Sequence, residues 1–172
     1  MTAQGAGDAP APLMAYISAG SNIEPEQHLR MAVALLRERF GPLLLSSVYR
    51  SRSAGFAGED FLNLVAGFAT RESPGAIVAE LERLHRVAGR IRGTARFAPR
   101  TLDLDLLLYG DRVCESPQIP RRDITEYSFV LGPLAEIAPQ LRHPVTGQTM
   151  AQLWESFDQA SHPIHRVPLL LA

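Results

Sequence analysis

The chain has a single cysteine, Cys114, so no disulfide can form within it. Such cysteine usage fits a reduced, cytoplasmic setting. Neither sign of charge dominates: 17 basic and 18 acidic side chains leave a formal net charge of −1. A general nucleic-acid binder carries a basic excess, so that class is set aside. No apolar run approaches the roughly 20 residues of a membrane-spanning helix. Met1 to Pro12 lack the basic start and apolar middle of a signal peptide. Rich in Ala, Gly and Pro, they read as a disordered lead-in (residues 1–12) to one domain spanning residues 13–172. No internal repeat is present, and no Ser-His-Asp or Cys-His nucleophile pattern stands out. Gly20-Ser21-Asn22 lacks the glycines and the lysine of a Walker-type phosphate loop, so it reads as a turn. His162 and His165 lack partner ligands for a metal.

What remains is a 172-residue chain, 46% hydrophobic, with enough apolar material for a real core. Leu13 to Ala19 reads as a strand. Pro25 suits the first turn of a helix running to about Arg39, with Leu29, Val33, Leu36 and Phe40 at helical spacing. Gly41-Pro42 ends it. Leu43 to Tyr49 and Phe61 to Thr70 read as strands, with a loop at Ser51 to Asp60 between them. Ser73-Pro74 opens a second helix, in which Ile77, Leu81 and Leu84 form the buried stripe, and Gly89 stops it. A strand ending at Tyr109-Gly110 follows an arginine-rich loop. Beyond it come a Pro-rich connection, a short helix around Phe129 to Ala138, and a tail with Trp154. The order strand, helix, strand, strand, helix, strand is the split βαβ of a ferredoxin-like α+β fold. It is expected as an antiparallel sheet with helices on one face, plus a C-terminal extension.

The stretch Arg100-Thr101-Leu102-Asp103-Leu104-Asp105-Leu106-Leu107 carries the chemistry. Side chains alternate faces along a strand at ~3.3 Å per residue, so Asp103 and Asp105 point the same way with Cα atoms roughly 6.6 Å apart. Leu102, Leu104 and Leu106 point the other way, toward a core. The run continues apolar on both faces through Tyr109, which sets the acids where a buried strand begins. Arg90, Arg92, Arg96 and Arg100 lie just upstream. Paired carboxylates beside arginines suit a hard cation bridged to phosphate, since Mg²⁺ takes one or two carboxylates and fills its shell with phosphate and water. The arginines would hold the remaining phosphate charge.

Arg96-Phe97-Ala98-Pro99-Arg100-Thr101-Leu102-Asp103-Leu104-Asp105 resembles the signature of the 6-hydroxymethyl-7,8-dihydropterin pyrophosphokinase family of folate biosynthesis. The likeness runs from about Tyr16 to Trp154. It includes Gly20-Ser21-Asn22, Ser46-Ser47-Val48-Tyr49-Arg50-Ser51, Asp60-Phe61-Leu62-Asn63, Gly89-Arg90-Ile91-Arg92 and Phe129-Val130-Leu131-Gly132-Pro133-Leu134. The resemblance implies transfer of pyrophosphate from ATP to the pterin hydroxymethyl group, leaving AMP. It implies two Mg²⁺ ions held by Asp103 and Asp105. Arg90, Arg92 and Arg100 match arginines of the ATP side, with Arg92 and Arg100 as phosphate clamps. These two arginines and the two aspartates form the implied catalytic set. Leu106 and Arg121 complete the implied ATP side. Asn63 matches the pterin-reading asparagine, and Phe129 the aromatic that stacks on the pterin. Phe97 stands where the family usually has a loop tryptophan, and Ser51 matches a small hydroxyl residue. Arg52, Ala54 and Phe61 complete the implied pterin pocket.

The chain departs from the pattern in places. His85 falls where the family usually has a helix glutamate near ATP. By itself it reads as a surface or partly satisfied side chain rather than a base. Arg121 replaces a histidine that usually contacts phosphate, and Tyr127 replaces an arginine. Arg52 replaces a small residue or proline. Two alternatives follow: a diverged relative with altered pterin or nucleotide use, and a non-catalytic pterin-binding protein. The expected partners are ATP and a reduced pterin, with neither nucleic acid nor membrane. The expected state is a monomer or weak homodimer in the cytoplasm. The segments Ser51 to Asp60 and Gly89 to Ala98 are expected to close over ATP.

Overall fold

The computed structural model describes residues 11–52, 60–89 and 102–171. Strand β1 (Leu13–Ser21) leads into helix α1 (Pro25–Phe40), then β2 (Leu44–Leu45), β3 (Val48–Ser51) and β4 (Phe61–Thr70). Helix α2 (Pro74–Val87) and β5 (Asp103–Tyr109) complete the split βαβ unit. Three short helices follow, α3 (Asp123–Glu126), α4 (Ser128–Ile137) and α5 (Met150–Ser156), and then β6 (His165–Val167). The strands lie in the order β5-β1-β4-β3-β6, with β2 paired to β4. Every paired neighbour is antiparallel. The ferredoxin-like α+β expectation is met.

Local chemistry sets the element ends. The Ser73 hydroxyl accepts a hydrogen bond from the Ala76 N–H at 3.2 Å, capping α2 ahead of Pro74. The expected strand Leu43 to Tyr49 is split in two. At the break, the Ser46 hydroxyl accepts from the Val65 N–H at 2.9 Å, so a side chain stands in for a ladder carbonyl.

Period-two alternation gives each strand two different faces. Ala15, Ile17, Ala19, Leu64, Phe68, Leu104 and Leu106 pack with Leu29, Val33 and Leu36 of α1 and Ile77, Leu81 and Leu84 of α2. The C-terminal extension covers part of the opposite face. There Tyr16, Val65, Leu107 and Leu108 meet Val130, Leu131 and Leu134 of α4. The pairing of β1 with β5 skips Leu107, because Tyr16 faces Leu108 while Ile17 faces Leu106. This bulge, rather than simple burial, lets Leu107 and Leu108 both serve the second core. Gly132 inside α4 lets the tail close on it, since a Cβ there would lie 2.7 Å from Ile164 Cδ1 and 3.1 Å from the Trp154 ring. No helix among the described residues is long and apolar enough to cross a membrane.

Candidate active site

Where α4 stops covering its face of the sheet, the strands present polar groups in register. Asp103 of β5 pairs with Gly20 of β1, Gly20 pairs with Asn63 of β4, and Asn63 pairs with Tyr49 of β3. One pleat inward, Asp105 pairs with Ser18, and Ser18 with Val65. Both aspartates are half-buried and lie on one face, while Leu104 between them is in the core. Asp103 and Asn63 are two strands apart, roughly 10 Å at ~4.8 Å per strand.

Asn63 is buried and donates through Nδ2 to the Ser51 hydroxyl at 2.9 Å. Phe61 lies two residues before it, opposite Ser51, and is half-buried. Gly20 forms the floor between Asn63 and Asp103. A Cβ at Gly20 would meet Asn63 Oδ1 at 2.7 Å, so glycine is needed for this approach. Phe129, half-buried at the start of α4, stacks on Tyr127 with ring centroids 5.0 Å apart. Tyr127, which replaces an expected arginine, supplies a ring to hold Phe129 in place of a charge. Arg52 is exposed at the end of β3.

α4 is tied to β3 from the far side of the row. Glu136 accepts from the Ser47 N–H, from the Ser47 hydroxyl at 2.7 Å and from the Tyr49 hydroxyl at 2.8 Å. Burial pushes the Glu136 carboxyl up, but these bonds and the Arg166 charge outweigh it and hold it below its ordinary value. Burial and the bond to Glu136 raise the Tyr49 phenol.

Arg121 stands over the acids. Its backbone N–H bonds the Leu107 carbonyl at 3.0 Å, which fixes it beside β5. Its guanidinium lies 3.5 Å from Asp105 and 3.2 Å from Asp123. Burial works against its charge, but Asp105, Asp123 and Asp103 raise its pKa above the ordinary arginine value. Every basic side chain other than histidine in this protein is an arginine.

Leu106 belongs to the core with 5% exposure, so its side chain is not turned toward the acids. The reason is the alternation that exposes Asp105. His85 is buried on α2 and accepts a hydrogen bond from the Leu104 N–H, so of the two expectations the surface one fails and the satisfied side chain holds. Arg90, Arg92, Arg96, Phe97, Arg100 and Ala54 lie outside the described residues, as does most of both segments expected to close over ATP. Sequence reasoning missed Gly20 as a floor, the Glu136 clamp and the His85 bond. Of these, only Gly20 carried a local signal, being an isolated glycine at a strand end.

Among the described residues no group of three or more His, Cys, Asp or Glu side chains converges as a metal cage. Two half-buried carboxylates on one face are the donor set Mg²⁺ uses when phosphate oxygens complete its shell. The residues present fit that group. An open groove lined by Glu24, Arg30, Arg50, Asp60 and Leu62 lies at the start of α1, on the side of Leu62 rather than of the acids.

A family model for 7,8-dihydro-6-hydroxymethylpterin-pyrophosphokinase matches residues 16–139. The 2-amino-4-hydroxy-6-hydroxymethyldihydropteridine pyrophosphokinase of Synechocystis sp. is 39% identical over 149 residues, 84% of this chain and 76% of that protein. The proteins of the same name from Haemophilus influenzae and Bacillus subtilis are 36% and 33% identical. They are matched over 93% and 96% of their lengths, and over 84% and 88% of this chain. Among solved structures, Plasmodium falciparum HPPK-DHPS with pteroate superposes with a TM-score of 0.67 at 12% identity. That match covers 86% of this chain and 43% of the other, and it bears on the fold alone.

Proposed function

Because the chain belongs to the 7,8-dihydro-6-hydroxymethylpterin-pyrophosphokinase family, we propose that the row Asp103–Gly20–Asn63 is the bed on which its two substrates meet. The chain is a pyrophosphokinase of folate biosynthesis. The pterin hydroxyl oxygen attacks the β-phosphorus of ATP and gives up its proton to solvent, the bond from the β-phosphorus to the α–β bridging oxygen breaks, and AMP leaves with the electron pair.

The in-register row is the observation that carries this reading. Asn63, pinned by Ser51, offers an amide to the amide-like edge of a pterin. Phe61 and the stacked pair Phe129–Tyr127 supply flat apolar surface for its rings. The roughly 10 Å from Asn63 to Asp103 suits a bicyclic ring with a one-carbon arm reaching toward the acids. Gly20 leaves the floor between them clear. Asp103 and Asp105 would hold Mg²⁺, two ions in this reading. The bound metal would neutralise phosphate charge and align the in-line displacement. Arg121, 3.5 Å from Asp105, would hold phosphate oxygens next to those acids, and a guanidinium keeps its charge at any working pH. Arg92 and Arg100 are the proposed phosphate clamps, and Arg90 is a further proposed residue of the ATP side. Positioning and charge neutralisation supply the catalysis, without a covalent intermediate. The protein works as a cytoplasmic monomer or weak dimer.

The experiment combines protein, ATP, Mg²⁺ and 6-hydroxymethyl-7,8-dihydropterin and measures AMP. Asp103→Ala and Asp105→Ala should each lower turnover by on the order of 10³-fold. Calorimetry on the same variants should show weakened Mg-nucleotide binding at unchanged melting temperature. Unaltered turnover or binding in both variants would overturn the assignment of the acids.

A further inference from the structure

Among the described residues β5 is an edge strand. Asp103 and Asp105 face Gly20 and Ser18 of β1, and Leu104 sits between them. In an antiparallel ladder successive residues alternate between bonding inward and facing away, so an edge strand presents every second N–H to no partner strand. The Leu104 N–H is such a group, and α2 meets it. His85 Nε2 accepts from it at 2.8 Å. The histidine is 3% exposed, next to Leu84 in the core. Since Nε2 accepts, the ring proton sits on Nδ1, which lies 3.4 Å from Glu82 Oε1. A chain of contacts thus runs from Glu82 through the imidazole to the Asp103–Leu104 peptide, the first of the two between the aspartates.

We propose that His85 is a positioning residue for the acid pair. Its bond fixes the Asp103–Leu104 peptide, one of the two peptide groups of β5 whose rotation would change the spacing of the Asp103 and Asp105 carboxylates. Nε2 is turned to the backbone of β5, so the ring is neither a base for the substrate hydroxyl nor a metal ligand. An apolar residue would fill the same volume and leave a buried N–H unsatisfied, which strands tolerate poorly. The inference rests on the metal-holding role given above to Asp103 and Asp105.

The test compares His85→Leu, which keeps bulk and removes the acceptor, with His85→Gln, whose Oε1 can take the place of Nε2. Asp103→Ala serves as the reference. Amide hydrogen exchange at Leu104 should quicken in His85→Leu relative to central-strand amides such as Leu64. The Mg²⁺ concentration for half-maximal AMP formation should rise about ten-fold, as for other residues that orient metal ligands, while the KM for pterin stays put. Mg-nucleotide affinity by calorimetry should fall in parallel, and His85→Gln should recover most of both effects. Faster Leu104 exchange in His85→Leu with an unchanged Mg²⁺ response would overturn the inference, as would Gln behaving like Leu. If His85→Leu does not fold, His85→Asn against His85→Gln reads the same contrast, because the shorter amide withdraws the acceptor. Asp103→Ala separates the two levels. Unchanged Mg-nucleotide affinity there overturns the metal role itself, whereas loss there without loss in His85→Leu overturns only the positioning role.

Discussion

Toward α1 and α2, strands β1, β4 and β5 present Ala15, Ile17, Ala19, Leu64, Phe68, Leu104 and Leu106. Toward the opposite side the same strands present Ser18, Gly20, Asn63, Asp103 and Asp105. Neighbours in sequence therefore serve opposite ends. The apolar face is closed by two helices and depends on summed volume. The polar face is left open beyond α4 and depends on single atoms: an Nδ2 on a hydroxyl, the missing Cβ of Gly20, two carboxylates on one side. A substitution should show which face it touches by what it changes. Changes to the apolar core residues should alter stability at constant activity per folded molecule, and changes within the polar row should alter activity.

The largest effect expected from crossing this boundary is on the core side. Leu64 is fully buried on β4, one residue from Asn63. Leu64→Ala should destabilise the protein by about 2–5 kcal/mol through lost transfer energy and a residual cavity. Urea unfolding would measure this, alongside kcat/KM at denaturant-free conditions corrected for the folded fraction. The corrected value should stay at the wild-type level. A fall would mean that the faces are mechanically coupled through β4.

The converse substitution is Gly20→Ala. Its Cβ would press within 2.7 Å of Asn63 Oδ1 and force the amide off Ser51. Overpacking of this kind costs about 1–3 kcal/mol, and here it should appear mainly as pterin affinity, a loss of about ten-fold or more. Titration of the pterin by fluorescence would read it, with the melting temperature as control. Normal pterin binding in Gly20→Ala would remove Asn63 from the bed proposed here.

Much of this division could be read from the sequence, because alternation is local. Asp103 and Asp105 share a face by spacing alone, and Ser73 starts α2 by a contact three residues away. Phe61–Thr70 is a strand at the ends its residues suggested. What stayed hidden depends on distant partners. The Ser46 hydroxyl breaks a strand only because Val65 lies across from it. β6 is three residues long and exists by pairing with β3. The bulge at Leu107 is a property of two strands together. Whether His85 is a surface or a satisfied side chain stayed open, because a helix position does not reveal that a strand N–H will pass over it. Tyr127 read as a lost charge, and only the arrangement of α4 shows it as a support for Phe129.

The smallest expected effect tests whether the open face is held by a clamp of its own. Glu136 joins α4, which carries Phe129, to Ser47 and to Tyr49, the residue paired with Asn63. Despite burial, its hydrogen bonds and Arg166 keep its folded pKa below the ordinary value of 4.5. The folded state therefore favours the ionised form. Its contribution is complete above about pH 4.5 and is lost as pH falls through the lower, folded value, because unfolding then takes up a proton. Glu136→Gln should be less stable at neutral pH by about 1 kcal/mol, from weakened hydrogen bonds to Ser47 and Tyr49. As pH falls below about 4.5 the wild type should lose more stability than the variant, so their unfolding curves converge. The pterin KM should rise a few-fold, since a looser α4 holds Phe129 less firmly, while the response to Mg²⁺ proposed for Asp103 and Asp105 should not move. If the two proteins instead run parallel through the acid range, the carboxylate is not what fastens α4, and the ring stack with Tyr127 must hold the aromatic wall alone.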